Sequence, residues 1–177
     1  PFFGSSGMSG ELGHIPLERD SKVRCHCGSS GCLETLASGQ AIARIAAEGL
    51  QQGQSGDHLW QLCGGDLQEV TAEMVAHAAR EGDTLAQNVL DQAAEYLGMG
   101  LATLINILNP DAIIMGGGVV QNGERFLEPV RKSAARRGYK QLSKDVPILQ
   151  STYGMMATAM GAVGLVLHEV LDLNVEF

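Results

Sequence analysis

Apolar residues recur every three or four positions along much of this chain, and that recurrence predicts its helices. The stretch "TLAQNVLDQAAEYLGMGLATLINILN" carries Leu85, Val89, Ala93, Leu97, Leu101, Leu104 and Leu108 at this spacing. It predicts the longest helix, with an Ala- and Gly-rich surface suited to close packing on a sheet and Pro110 as its stop. "LETLASGQAIARIAAEGL" places Leu36, Ile42, Ile45 and Ala46 likewise, with a break at Gly39 and a stop at Gly49. "TAEMVAHAAREGD" opens on Thr71, has Glu73 close behind, and ends at Gly82. "ERFLEPVRKSAARRG" predicts a helix in which Pro129 opens the main part or kinks it. Residues 50–70 are polar and Gly-rich and predict a loop with a short helix.

Two short apolar runs lack helical period and predict strands. Ala112–Met115, held between Pro110 and three glycines, suits a buried parallel strand, and "VPILQS" supplies a second. "GMMATAMGAVGLVLHEVL" predicts a closing helix buried in a soluble core. Residues 1–35 predict a short strand near Leu12–Leu17 followed by a loop. Strand–helix–strand–helix order implies an α/β sheet with right-handed crossovers.

The 177 residues suit one domain with a sizeable core. Twelve Lys and Arg stand against 20 Asp and Glu, a formal charge of −8 that repels phosphate backbones. Direct nucleic-acid binding by this segment is not expected. "PFFGSSGMSG" has neither the basic start nor the apolar run of a signal peptide, and no apolar run of about 18 residues reads as membrane-spanning. A cytoplasmic location without membrane contact is the expectation. No Met opens the chain, and "PFFG" reads as a strand or turn already under way, so a fragment of a longer protein is expected.

Cysteine changes this picture most. In "RCHCGSSGCLE", Cys25, Cys27 and Cys32 fall within eight residues, with Gly28 and Gly31 to turn the chain. Three thiolates and an imidazole suit tetrahedral zinc, and His14, eleven residues before Cys25, is available as the fourth ligand. Four protein ligands make such a site structural. His26 is a rival fourth ligand, and a disulfide between two of these cysteines, or redox chemistry from Cys25 and Cys27, are the competing readings; a reducing compartment argues against the disulfide. Cys63, far away in "LWQLCGG", reads as a small buried hydrophobe or loop thiol. Glu11 and Glu34 lie beside the first and last candidate ligands. With His14 they offer directional hydrogen bonds to hydroxyl groups, so a polyhydroxylated ligand is the natural guest. Either glutamate reads equally well as a surface charge.

"SGELGHIPL" followed by "CHCGSSGCLE" closely resembles the ROK family of repressors, open reading frames and kinases. The resemblance rests on Gly10, Glu11, Gly13 and His14, then Cys25, Cys27, Gly28, Gly31, Cys32 and Glu34, and extends to "INILNPDAIIMGGGV". Ser9 departs from it, standing where alanine is common. The resemblance implies an α/β fold, an actin-like ATPase (ribonuclease H-like) lobe with a mixed sheet, flanking helices and a zinc-binding loop. Residues 1–177 are then a single carboxyl-terminal lobe, the zinc-loop segment lies within 10–35, and an amino-terminal lobe is missing.

By the same resemblance, His14, Cys25, Cys27 and Cys32 bind structural zinc. Glu11, His14 and Glu34 contact the sugar, His14 through its other ring nitrogen. Gly116, Gly117 and Gly118 pass close to the adenosine of ATP, although a tight turn explains three glycines equally well. No catalytic residue is expected here, because the phosphate loop and catalytic aspartate of family kinases have no counterpart in this sequence.

The resulting expectation is an ATP- and magnesium-dependent, glucokinase-like hexose kinase to which this chain contributes the sugar-binding lobe. The alternative is a sugar-responsive repressor whose amino-terminal helix-turn-helix is absent from this chain. A zinc-stabilised assembly module with no sugar is the plainest reading. A homodimer is expected by resemblance alone. Arg136, Arg137 and Lys140 in "ARRGYKQL" read as a solvated helix end.

Overall fold

The computed structural model describes residues 3–171; Pro1 and Phe2 of the opening "PFFG" lie outside them. Among these described residues, seven α-helices and two strands follow in the order α1 (Leu33–Ala37), α2 (Gly39–Gln51), α3 (Asp57–Leu62), α4 (Ala72–Arg80), α5 (Thr84–Leu108), β1 (Ile113–Met115), α6 (Glu124–Arg137), β2 (Ile148–Gln150) and α7 (Ala157–Leu171).

Helix α5 is the axis of the core. Leu85, Val89, Leu90, Leu101 and Ile105 are buried along it, and α1, α2, α4 and α6 all pack against it. Asp83 fixes its start. One carboxylate oxygen accepts from the Ala86 backbone (2.9 Å) and the other from Leu59 N in α3 (3.1 Å), so a single buried side chain caps one helix and anchors a second. Asn109, at φ 43°, ends the helix in the left-handed region one residue before Pro110.

The contact with α6 is unusually close. A Cβ on Gly98 would stand 2.4 Å from Ser133 Cβ and 2.7 Å from the Val130 carbonyl oxygen. Ser133 uses that proximity, its hydroxyl donating to the Glu95 carbonyl (2.8 Å). Phe126, Leu127 and Val130 of α6 are fully buried alongside. Pro129 sits inside α6 and does not open it. At the helix end, Arg136 and Arg137 both bind the Glu95 carboxylate.

Several expected boundaries move for local reasons. The break expected at Gly39 falls one residue earlier. Ser38 is extended (ψ 164°), and its hydroxyl caps α2 by accepting from Ala41 N, which makes Gly39 the first residue of that helix. Gly49 does not stop α2, because the helix runs on to Gln51. Gly49 instead lets Leu85 close over it, its Cδ1 2.6 Å from where a Cβ would be.

The strand expected near Leu12–Leu17 is absent. Leu12–His14 forms a 3-10 turn, and only Pro16 bridges Cys32, antiparallel. The ladder cannot lengthen, because Gly31 is in the left-handed region (φ 65°) on one side of Cys32 and α1 begins on the other.

Strands β1 and β2 pair in parallel, Ile113 with Ile148, Ile114 with Leu149 and Met115 with Gln150. No antiparallel strand joins them among the described residues, so the expected mixed sheet is here a small parallel one. Met115 and Ile148 face the core, but Ile114 is 70% exposed, so β1 is covered on one face only. The closing helix was expected to be buried; in α7, Val166 is 60% and Val170 72% exposed. Apolarity marks a surface able to be buried, and the described residues do not bury this one. No helix among them is long and apolar enough to cross a membrane.

Candidate functional site

The loop before α1 gathers the cysteines by backbone turns. Cys25 N donates to Ser29 O (2.9 Å) and Gly28 N to Cys25 O (3.0 Å), folding the segment into a knuckle. Gly31 closes it against Glu18, whose carbonyl oxygen would lie 2.1 Å from any Cβ at that position. Glu18 in turn accepts from the Tyr96 hydroxyl of α5 (3.2 Å), which ties the loop to the core. Leu33 N donates to Ile15 O (3.0 Å), joining the His14 segment to the start of α1.

These contacts bring His14, Cys25, Cys27 and Cys32 together, with all four ligand atoms within 4.8 Å of one another. His14 Nδ1 is 3.5 Å from Cys25 Sγ, and the Cys27 and Cys32 sulfurs are 3.7 Å apart. Around a tetrahedral zinc, standard bond lengths put nitrogen and sulfur about 3.6 Å apart and two sulfurs about 3.8 Å apart. The donor set and its spacing fit that ion. All four cysteines of the chain are free, so the loop holds no disulfide. Cys63 stands apart and buried, its thiol donating to the Trp60 carbonyl.

The thiols of the loop differ. Burial pushes Cys32 up to about 11, whereas a hydrogen bond with the Ser29 backbone holds Cys27 below the ordinary thiol range. Cys27 is also exposed, while Cys25 and Cys32 are buried.

His26 does not replace His14. Its Nδ1 is 4.0 Å from Cys25 Sγ, and its more direct partner is the Glu34 carboxylate at 3.3 Å. Sequence reasoning weighed His26 only as a ligand; its contact with Glu34 has no signal in residue spacing.

The two glutamates meet His14 from different sides. Glu11 Oε2 lies 3.5 Å from His14 Nε2, and Glu34 Oε2 lies 3.6 Å from Nδ1. Glu11, His14 and Glu34 line one open groove of about 380 Å³, with Leu97 of α5 and Ser38 at its wall. The imidazole therefore turns Nδ1 to the Cys25 sulfur and Glu34, and Nε2 to Glu11.

The glycine turn lies elsewhere. Gly118 lines a groove of about 480 Å³ with Ile42, Glu73, Ala76, Arg80 and Asn122. Gly116 lines a different hollow beside α7, and a Cβ on it would stand 3.0 Å from that of Ala157. Gly117, at φ 98°, makes the bend between them. The structure thus splits the three glycines between two surfaces. In the Gly118 groove, Arg80 donates to the Asn122 side chain (3.0 Å). Glu73, read in the sequence as a helix-start residue, faces the same space. Neither Arg80 nor Asn122 was singled out there, because they lie 42 positions apart and only the fold joins them.

Comparison with known proteins places these features in a family. The ROK family model matches residues 1–169, and the chain belongs to the ROK family. It is 36% identical over 166 residues to a glucokinase of Halalkalibacterium halodurans, covering 92% of this chain and 49% of that protein. It is 30% identical to a xylose repressor of Caldicellulosiruptor bescii, covering 97% of this chain and 42% of the repressor. Its structure superposes with a TM-score of 0.80 on a ROK family glucokinase from Streptomyces griseus in complex with glucose and AMPPNP, at 34% identity, covering 90% of this chain and 51% of that one. The chain therefore spans about half the length of the relatives it matches, and kinases and repressors are both among them.

Proposed function

We propose that this chain is the carboxyl-terminal, actin-like lobe of a ROK-type, glucokinase-like sugar kinase, residues 1–177 forming one unit with a zinc loop within residues 10–35. The carrying observation is the convergence of Glu11, His14 and Glu34 on one groove beside the cysteine cluster. The likeness to a glucokinase structure holding glucose and AMPPNP supports it.

On this reading His14, Cys25, Cys27 and Cys32 hold a zinc ion whose role is structural: it ties the His14 turn to the start of α1. A histidine that binds metal through Nδ1 keeps its proton on Nε2. His14 then donates from Nε2 into the groove, while Glu11 and Glu34 accept from sugar hydroxyls. The three side chains orient the sugar and move no proton. Nucleotide would lie along the Gly118 groove, where the absence of a side chain permits close approach. ATP with magnesium supplies the phosphoryl group; catalysis by positioning then depends on holding the acceptor hydroxyl still.

The likeness to a xylose repressor favours a second reading, in which the same groove senses a sugar without transferring phosphate. Titration of the intact protein with a panel of hexoses and pentoses, by calorimetry, combined with an ADP-release assay, separates the two. Sugar-dependent ADP formation supports the kinase. Sugar binding without it supports the repressor. Absence of any heat with every sugar rejects both and leaves a zinc-stabilised assembly module.

A further inference from the structure

We infer that Cys27 and Cys32 form a reversible dithiol–disulfide switch, in which oxidation of Cys27 by a peroxide is resolved by Cys32 and removes two of the four metal ligands at once. The zinc reading above is needed for the consequence of the switch, and the disulfide itself stands without it.

The pair is set apart by position. Cys27 is the exposed thiol of the cluster, so a small oxidant reaches it first. Cys32 is wholly buried directly behind it, Sγ to Sγ 3.7 Å, and free. Cys25 is the other neighbour, but its sulfur is also in contact with His14 Nδ1 (3.5 Å) and the Glu34 carboxylate (3.7 Å). Only His26 separates Cys25 from Cys27, and so small a ring strains the ordinary disulfide torsion. Four residues separate Cys27 from Cys32, and the glycines Gly28 (φ 93°) and Gly31 (φ 65°) already fold that segment back on itself.

The chemistry balances with peroxide as the oxidant. The Cys27 sulfur attacks one oxygen of hydrogen peroxide; the S–O bond forms, the O–O bond breaks, and the second oxygen leaves as water after taking up a proton. The Cys32 sulfur then attacks the sulfenic sulfur; the S–S bond forms, the S–O bond breaks, and the hydroxyl leaves as water with the proton of the Cys32 thiol, or with one from solvent where Cys32 starts as a zinc-bound thiolate. Two thiols lose two electrons and peroxide gains them. His14 and Cys25 remain, too few to retain a tetrahedral ion. A thiol reductant reverses the step.

The test treats the purified protein, after its zinc content has been measured, with a few equivalents of hydrogen peroxide, and maps disulfides by tryptic mass spectrometry. The expected product is about 2 Da lighter, carries a Cys27–Cys32 link, and has released its zinc to a chromogenic chelator; dithiothreitol restores the original mass. Cys63→Ser behaves like the parent. Cys27→Ser leaves Cys32 unlinked. A Cys25–Cys27 link, or Cys27 passing directly to sulfinic acid with Cys32 still reduced, overturns the proposal. Protein that holds no zinc beforehand but still forms the Cys27–Cys32 link overturns the zinc reading and leaves the switch standing.

Discussion

Gly98 of α5 and Ser133 of α6 meet with no room for a methyl group, a Cβ at position 98 falling 2.4 Å from that of Ser133. One further contact is the backbone carbonyl of Val130 at 2.7 Å, which cannot rotate away. Gly98→Ala therefore forces α5 and α6 apart and is expected to destabilise the protein by about 1–3 kcal/mol. Urea unfolding at neutral pH measures it; a variant as stable as the parent would show that the two helices slide freely.

Glu95 predicts a pH dependence. Its hydrogen bond from Arg136, with further help from Arg137, holds its carboxyl below the ordinary carboxylate range. A group depressed in the folded state adds stability above its unfolded pKa and loses it as pH falls through the folded value. Glu95→Gln is therefore expected to melt lower than the parent at pH 7, by the equivalent of about 1 kcal/mol for a partly exposed network. The difference should shrink below pH ~4 and vanish in stronger acid. Thermal melts across that range check it, and a gap that widens in acid would contradict the assignment.

The zinc reading predicts that Cys32→Ser abolishes bound metal. Cys32 is fully buried, so its sulfur has no solvent-borne replacement. Because binding energy at a structural site is folding energy, the variant should also melt earlier than the parent, while excess chelator should lower the parent's melting point and leave the variant's unchanged. Elemental analysis of the two proteins decides it.

For the proposed sugar groove, Glu34→Gln keeps the shape of the side chain and removes its charge. Sugar affinity of the intact protein is expected to fall roughly tenfold or more, with only a small change in melting point in the absence of sugar. Equal losses in stability and none in affinity would make Glu34 a structural residue.

Gly118 offers a test of the nucleotide groove. Its backbone is helical (φ −60°, ψ −42°), and a Cβ there meets only the Glu73 carboxylate at 3.7 Å. The backbone and a Cβ are thus accommodated, and Gly118→Val is expected to fold while adding bulk at the groove. Nucleotide affinity should drop by about tenfold or more and sugar affinity should hold, as read by fluorescence titration of the intact protein.

Much of the fold is legible in residue pattern where that pattern is long. The spacing of Leu85, Val89 and Leu101 announces α5, and Thr71 announces α4, because helix period and caps are local properties. The elements misread are those whose state depends on distant residues. Pro16 and Cys32 make a bridge and not a strand, since the chain must turn into α1 at once. Nothing local reveals that Ile114 stays uncovered. For the site, the cysteine spacing and His14 pointed to one cluster. The turning of Nδ1 toward sulfur and Nε2 toward Glu11 is set by tertiary contacts, as is the pairing of Arg80 with Asn122.

The single bridge between Pro16 and Cys32 has a practical corollary. On the proposed zinc reading, a segment joined to the body by that bridge and by the Tyr96–Glu18 hydrogen bond loses its main clamp once a chelator withdraws the ion. Arg19, Lys22 and Arg24 all lie along it. Brief trypsin digestion with and without chelator should then nick the chain there while the α5–α6 core persists, turning a protease into a gauge of occupancy.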